Sequence, residues 1–222
     1  MSRPALIAVA HGSSYPEARL TVTALARQVT RLAPVIDIRV ALVQHARPSL
    51  PQALSGAGRD AVIVPLLLSA GYHLSTDIAK AAANPARHVA APLGPDQLLV
   101  TAMIKRLAQA GAPQGTPVVL AAAGSTDPRA AQQVAAQADL LAGELDVPVT
   151  AAFAASGRPT VEDAVADLRA STGGPVAVAS YLLAPGLFHE RLAKTGADWV
   201  TAPLGDHPAV AALIIDRYRR AA

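Results

Sequence analysis

Two histidines that directly follow apolar runs carry the most informative chemistry in the chain. His11 comes after Ala-Leu-Ile-Ala-Val-Ala and opens a Gly-Ser-Ser turn, and His73 comes after the apolar run 62–68 and the loop Ser-Ala-Gly-Tyr. Imidazole binds borderline divalent metals and accepts a proton near neutral pH. Two imidazoles in one cleft could therefore ligate a metal or take protons from a ligand N–H. Taken alone, either residue is also explained as a turn or helix-capping histidine.

A third segment with polar candidates lies before the turn Arg47-Pro48-Ser49. Gln44 and His45 end the second predicted strand, and alternation along a strand sends neighbouring side chains to opposite faces. We therefore expect only one of the two to face the cleft that holds the histidines. A local bulge could turn His45 inward instead of Gln44, because bulges occur beside active sites. Both residues are also consistent with a solvated strand end.

The elements that must position these residues alternate between strand and helix. Apolar runs without in–out alternation are typical of strands buried on both faces of a parallel sheet. In such sheets ligands bind at the carboxyl ends of the strands, where His11 and His73 both fall. Predicted strands of the first half lie near 4–10, 35–43, 61–68 and 88–91, and predicted helices near 15–32, 49–57, 75–84 and 95–110. Ser13 or Ser14 could cap the first helix, with Glu17 in its first turn.

The sequence repeats itself with an offset of 111 to 116 residues. Residues 4–18 resemble 116–130, the run 62–73 resembles 176–189, and Ala-Pro-Leu-Gly occurs at 91–94 and 202–205. The fold class predicted is therefore α/β with two similar lobes, each a parallel sheet flanked by helices, over 1–112 and 113–222. Predicted strands of the second half lie near 117–122, 148–154, 175–183 and 199–202, and helices near 127–144, 160–171, 187–195 and 207–220. The last helix could pack on either lobe.

The two halves differ in their candidate chemistry. In the repeat, His189 matches His73, but Ala123 stands where the first half has His11. The second half lacks one of the two imidazoles, so we expect only the first half to be active. His88 and His207 lie beside predicted element starts and are expected to be structural or exposed.

Composition excludes several classes of protein. The chain has no Cys, so disulfides, thiolate metal sites and cysteine nucleophiles are impossible. No apolar run reaches the ~18 residues that span a bilayer, and the N-terminus does not resemble a signal peptide, so a cytoplasmic location is expected. The net charge is only +3 and basic residues are scattered apart from the tail Arg217, Arg219 and Arg220, which argues against nucleic-acid binding. No phosphate-binding or nucleophile-elbow motif is present.

Four motifs together resemble the sirohydrochlorin cobalto- and ferrochelatases. They are AHGS at 10–13, PSL at 48–50, VPLLLSAGYHLSTDI at 64–78 and APLGPD at 91–96. The resemblance covers nearly the whole chain and implies a class II chelatase fold. It also implies ATP-independent insertion of Co²⁺ or Fe²⁺, with Ni²⁺ a further option, into sirohydrochlorin for siroheme or cobalamin biosynthesis. The expected partners are the tetrapyrrole and the metal, which is a substrate, and no permanent cofactor, nucleic acid or membrane is expected.

The resemblance also implies which residues form the site. His11 and His73 match the two active-site histidines of the family, and Gln44 and His45 complete the candidate metal ligands. From the charge and shape of such a macrocycle, and not from the resemblance, Ser13, Ser14 and Arg47 are candidates to contact its carboxylates, and Gly71 is a candidate to let it approach the backbone. The family usually carries an acidic residue four positions before the proline of the PSL motif, and this position is Gln44 here. Alternatives are a metal or tetrapyrrole carrier without turnover, and an unrelated two-lobed α/β binding protein.

Overall fold

A computed structural model describes residues 3–43, 48–57, 60–69, 78 and 87–222. These residues divide into two compact units. The first takes its described residues from 1–67, 71–93 and 206–222, and the second from 68–70 and 94–205. Within the described residues, no helix is both long and apolar enough to cross a membrane.

The first unit is built on a four-stranded parallel sheet with the order β2-β1-β3-β4. Every residue of β1 is buried because helices cover both faces of the sheet, and this explains why its sequence is a continuous apolar run. On one face Ile7, Val9 and Ile63 pack with Leu50 and Leu54 of α2. The strands are β1 (Ala5–Ala10), β2 (Ile38–Leu42), β3 (Ala61–Pro65) and β4 (Arg87–Val89), and the described helices are α1 (Pro16–Leu32), α2 (Leu50–Ser55) and the terminal helix α7 (Pro208–Ala221).

The second unit repeats this architecture with a parallel sheet of order β6-β5-β7-β8. Its strands are β5 (Val118–Gly124), β6 (Val149–Ser156), β7 (Ala177–Tyr181) and β8 (Trp199–Val200), and its helices are α3 (Gln97–Gln109), α4 (Pro128–Leu145), α5 (Val161–Thr172) and α6 (Leu187–Leu192). The two sheets share strand order and direction, so the predicted fold class, two similar α/β lobes, is confirmed.

The two halves of the sequence exchange their last helices. Helix α3 packs against α4 and β7 in the second unit, and α7 packs against α1 and β3 in the first. The same hydrogen bond is made in both units: Arg217 Nη2 donates to the Leu93 carbonyl at 2.9 Å, and Arg106 Nη2 donates to the Leu204 carbonyl at 3.0 Å. The compact units therefore differ from the predicted halves 1–112 and 113–222 at these two helices.

The described elements otherwise lie close to their predicted positions, with shorter strands except β5 and β6, which extend two residues further than predicted. Strand β2 begins at Ile38 rather than near 35. Val35, which was predicted to lie in this strand, is exposed and does not pair with β1. The apolar run after β3 leaves the ladder at Pro65, although Leu66 N–H still donates to the Val9 carbonyl at 2.8 Å. The helix predicted near 75–84 lies outside the described residues except for Ile78, which is helical and buried.

Candidate functional site

His11 lies at the carboxyl end of the central strand of the first sheet. It directly follows β1, and its side chain is exposed. Gly12 has a φ of 92°, a left-handed conformation that glycine adopts without steric cost. The Ser13 hydroxyl accepts a hydrogen bond from the Tyr15 N–H at 3.1 Å, which closes the turn before α1. The turn therefore presents the imidazole at the edge where parallel sheets bind ligands.

The predicted cap of α1 is wrong in detail. Tyr15, not Ser13 or Ser14, is the N-cap residue, and it makes no side-chain cap. Pro16 occupies the first helical position, where a missing N–H has little consequence. Ser13 instead bonds to the N–H of the N-cap residue, and Ser14 is exposed. Glu17 lies in the first turn as expected.

The strands on either side of β1 end at the same edge as His11. In the parallel register Ala10 pairs with Leu42 of β2, and Val9 pairs with Pro65 of β3. Val43 N–H donates to the Ala10 carbonyl at 3.1 Å, and Leu42 N–H donates to the Pro48 carbonyl at 2.9 Å. The described residues on both sides of segment 44–47 are thus fixed next to the end of β1.

Several predicted site residues lie outside the described residues, so their placement stays a prediction. These are Gln44, His45, Arg47, Gly71 and His73. Within the described part of the chain, no three His, Asp or Glu side chains lie close enough together to hold a metal ion. Of the candidate metal ligands, the structure therefore places His11 alone.

The second unit contains the same turn without the histidine. Gly124 is the last residue of β5 and has a φ of 92°, equal to that of Gly12. The Ser125 hydroxyl accepts from the Asp127 N–H at 3.1 Å, as Ser13 does from Tyr15. Ala123 therefore occupies the place of His11, as the repeat predicts, and its methyl group can neither ligate a metal nor accept a proton.

The hydrogen bonds that follow β3 and β7 fix the repeat register more closely than the sequence does. Leu93 N–H donates to the Leu67 carbonyl, and Leu204 N–H donates to the Leu182 carbonyl, so Leu67 matches Leu182 with an offset of 115. Continued without a gap, this offset matches Gly71 with Gly186 and His73 with Phe188. The match of His73 with His189 that the sequence predicts requires an inserted residue.

The other described histidines have structural or exposed positions. His189 Nε2 lies 3.1 Å from the Thr201 carbonyl, and because a carbonyl only accepts, this nitrogen carries the donated proton. His207 caps α7, and its Nδ1 accepts from the Ala209 N–H at 3.1 Å. His88 is exposed on β4. The predictions for His88 and His207 agree with these positions.

A buried polar network in the second unit was not predicted. The Tyr181 hydroxyl donates to the Leu68 carbonyl at 2.7 Å, and Gln137 Oε1 accepts from the Asp96 N–H at 2.8 Å. Burial raises the pKa of the Tyr181 hydroxyl, with a smaller contribution from the Asp96 charge. A Cβ at position 94 would clash with the Tyr181 hydroxyl and the Leu68 carbonyl, so Gly94 permits this close approach. The glycine of APLGPD was the one signal in the sequence.

A comparison with known protein families finds the same family in both sequence repeats. A family model described as CbiX matches residues 5–110 and, a second time, residues 117–221. The chain belongs to the CbiX family. Each match covers one sequence repeat, and the resemblance to sirohydrochlorin chelatases found in the motifs is confirmed.

A curated relative of the chain is the sirohydrochlorin cobaltochelatase of Methanosarcina barkeri. The two are 25% identical in an alignment 123 residues long that covers 47% of this chain and 95% of that protein. Almost the whole relative thus aligns with less than half of the chain, as expected if one repeat corresponds to one relative.

Solved structures of chelatases share the fold over the whole chain. SirB from Bacillus subtilis with Fe³⁺ has a TM-score of 0.82 and 23% identity, covering 98% of this chain and 95% of its own. CbiX, described as the terminal enzyme for biosynthesis of siroheme in denitrifying bacteria, has a TM-score of 0.74 and 24% identity, covering 98% and 99%. At these identities the similarity establishes the fold.

Proposed function

We propose that the chain inserts a divalent metal, Co²⁺ or Fe²⁺, into sirohydrochlorin without ATP, in the cytoplasm, and serves siroheme or cobalamin biosynthesis. The observation that carries the proposal is the exposed His11 at the end of β1, in a chain whose two repeats both match the CbiX family. The chelatases named among its relatives act on the same macrocycle.

Metal insertion exchanges one divalent cation for two pyrrole N–H protons. The protein must therefore deliver the metal and accept two protons, and neutral imidazole is suited to both tasks. We assign these tasks to His11 and His73, which share them in either order. The metal enters as a substrate and leaves in the product, so turnover requires no resident cofactor.

Contacts to the macrocycle follow from its charge and shape. Sirohydrochlorin carries eight carboxylates, which favour cationic groups and N–H donors at the binding edge. The turn with Ser13 and Ser14 supplies hydroxyl donors next to His11, and Arg47 is a candidate for a cationic contact to a carboxylate. Gly71 lets a flat ring approach the backbone.

A carrier without turnover is the second candidate, and Gln44 favours it. A glutamine amide can neither accept a proton nor attract a cation by net charge. Gln44 therefore lacks the charge of the acidic residue that chelatases of this family usually carry at this position, beside the two histidines. A carrier would bind the metal or the tetrapyrrole and leave the two unjoined.

One experiment separates these functions. Purified protein is mixed anaerobically with sirohydrochlorin and with Co²⁺, Fe²⁺ or Ni²⁺, and the visible spectrum is followed against a protein-free control. A chelatase converts many equivalents of macrocycle per protein, faster than the control. A carrier changes the spectrum of at most one equivalent of macrocycle per protein and leaves the insertion rate at the value of the protein-free control. This second result would overturn the proposal.

A further inference from the structure

Two neighbouring large apolar side chains are exposed at the start of α6. Leu187 is 48% exposed and Phe188 is 38% exposed, and both follow the loop that leaves β7. The chain contains only two phenylalanines, and the other, Phe153, is buried. These two adjacent side chains form a small apolar surface on the second unit, which makes them a candidate contact for a ligand.

A cation adjoins this apolar pair. The Arg191 guanidinium carbon lies 5.9 Å from the centroid of the Phe188 ring, within range of a cation–π interaction. Its Nη1 donates weakly to the Ala154 carbonyl at 3.4 Å, which holds the guanidinium near the end of β6. In the part of the chain that the structure describes, no carboxylate pairs with Arg191, so its charge remains available to an anion.

The position of Phe188 in the repeat relates this apolar pair to the candidate site of the first unit. When the offset of 115 that relates Leu67 to Leu182 is continued along the sequence without a gap, Phe188 matches His73, and the turn after β5 matches Ala123 with His11. The second unit therefore retains the glycine turns at the carboxyl ends of β5 and β7, the usual ligand-binding edge of a parallel sheet. In this alignment both candidate metal ligands of the first repeat correspond to apolar residues of the second.

We propose that Leu187, Phe188 and Arg191 form a tetrapyrrole-binding surface of the second unit, which rests on the proposed function. The Phe188 ring and Leu187 contact the flat face of the macrocycle, and the Arg191 guanidinium binds one of its carboxylates. This surface supplies no ligand to Co²⁺.

The dimensions of the surface favour this occupant over a protein. A stable protein interface buries about 800 Å² on each partner, far more than two side chains supply. A conjugated ring with carboxylates at its rim matches an aromatic face flanked by a guanidinium in both shape and charge.

The test is an anaerobic absorbance titration of the full-length protein with metal-free sirohydrochlorin. Phe188→Ala should raise the Kd about tenfold, as loss of a buried aromatic anchor does, and Leu187→Ala and Arg191→Gln should raise it by smaller factors. Phe188→Tyr should restore the affinity. Binding of Co²⁺ alone should be the same in all variants, since the surface contributes no metal ligand.

Leu140→Ala is the matched control. Leu140 is 39% exposed on α4 of the same unit, twelve residues beyond the first residue of the helix and thus about 18 Å along it from the binding edge. Its variant should keep the wild-type Kd. Circular dichroism and the Tm identify any variant that fails to fold, in which case Phe188→Ser and Phe188→Tyr provide the comparison.

The outcomes separate this inference from the proposed function. If wild type inserts metal and Phe188→Ala binds sirohydrochlorin as tightly as wild type does, the surface has another role and the inference is wrong. If light scattering shows a self-association that Phe188→Ala abolishes without changing the Kd, the pair is an interface between copies and the inference is also wrong. If wild type binds no sirohydrochlorin, the proposed function itself fails.

Discussion

Arg106 and Arg217 make the same hydrogen bond in the two compact units, each from a helix that the opposite sequence half contributes. Arg106 on α3 bonds to Leu204 at 3.0 Å, and Arg217 on α7 bonds to Leu93 at 2.9 Å. Both acceptors belong to the two copies of Ala-Pro-Leu-Gly, after which the chain enters the exchanged helix. Both sequence repeats therefore contribute their last helix to the other compact unit in the same way.

The first prediction concerns the stability of the first unit. Arg217 is buried and also donates from Nε to the carbonyl of the half-buried Pro92 at 2.9 Å, so Arg217→Leu removes the side-chain donors to this carbonyl and to the carbonyl of the buried Leu93. We expect it to lower the free energy of unfolding by about 2–4 kcal/mol. Hydrogen exchange of the β1 and β3 amides, with urea unfolding, measures this loss. Arg219→Leu, at an exposed position of the same helix, is the control and should change little; equal effects would contradict the account.

The sequence predicts the sheets better than the exchange of helices. Continuous apolar runs such as Ala5–Ala10 identify buried parallel strands because both faces are covered. The pattern of α7 shows that one face is buried but not which sheet buries it, since both sheets offer equivalent surfaces. Only the matching positions of Arg106 and Arg217 hint at the exchange, and a hydrogen bond to a backbone carbonyl leaves no sign in the partner's side chain.

The candidate site, too, is only partly predictable from the sequence. His11 was found from its place after an apolar run, and the structure puts it at the end of β1. The sequence pairs His189 with His73 by residue identity, whereas the offset of 115 that relates Leu67 to Leu182, continued without a gap, pairs His73 with Phe188. His73 lies outside the described residues, so the pairing of His73 stays a prediction.

The second prediction tests the structural role of His189. His189→Ala removes the hydrogen bond to the Thr201 carbonyl and should cost about 1 kcal/mol of stability, with metal insertion little changed. His73→Ala should do the reverse. Steady-state insertion rates and the Tm of both variants check this. A loss of insertion in His189→Ala as deep as in His73→Ala would show that the second repeat supplies a reacting group.

The third prediction concerns Gly124, the last residue of β5. At Gly124 a side chain would meet the backbone of Ser156, and φ lies in the left-handed region. Gly124→Ala should therefore destabilise the second unit by at least about 1–3 kcal/mol. Gly173→Ala is the matched control, because its φ is also positive but its surroundings are open. Urea unfolding of both variants measures the difference, and equal losses would mean that steric contact with Ser156 contributes nothing.

The fourth prediction concerns alkaline pH. Burial raises the pKa of Tyr181 above the ordinary tyrosine value of about 10. The unfolded chain then loses this proton at a lower pH than the folded chain does, so the stabilising contribution is complete below pH ~10 and declines as the pH rises further. Urea midpoints measured from pH 8 to 11 should fall more steeply for wild type than for Tyr181→Phe. Parallel curves would contradict the burial of an un-ionised hydroxyl.

The fifth prediction addresses Gln44 and His45. If the strand keeps the register of the family, Gln44 faces the site, because a one-residue shift of a buried strand would reverse every side chain. Gln44→Glu should then raise the insertion rate or the metal affinity, and His45→Ala should have little effect. Insertion kinetics with varied Co²⁺ distinguish the two variants. If His45→Ala abolishes insertion and Gln44→Glu changes nothing, a bulge turns a third imidazole inward.

The most direct measurement is the initial rate of Co²⁺ insertion into sirohydrochlorin by wild type, His11→Ala and His73→Ala under anaerobic conditions. The account predicts that wild type exceeds the protein-free rate and that each variant loses about 10²-fold or more, the usual contribution of a group that transfers a proton. Far-ultraviolet circular dichroism should be unchanged, since His11 is exposed. Wild-type rates in both variants would contradict the proposal that these two histidines carry the reaction.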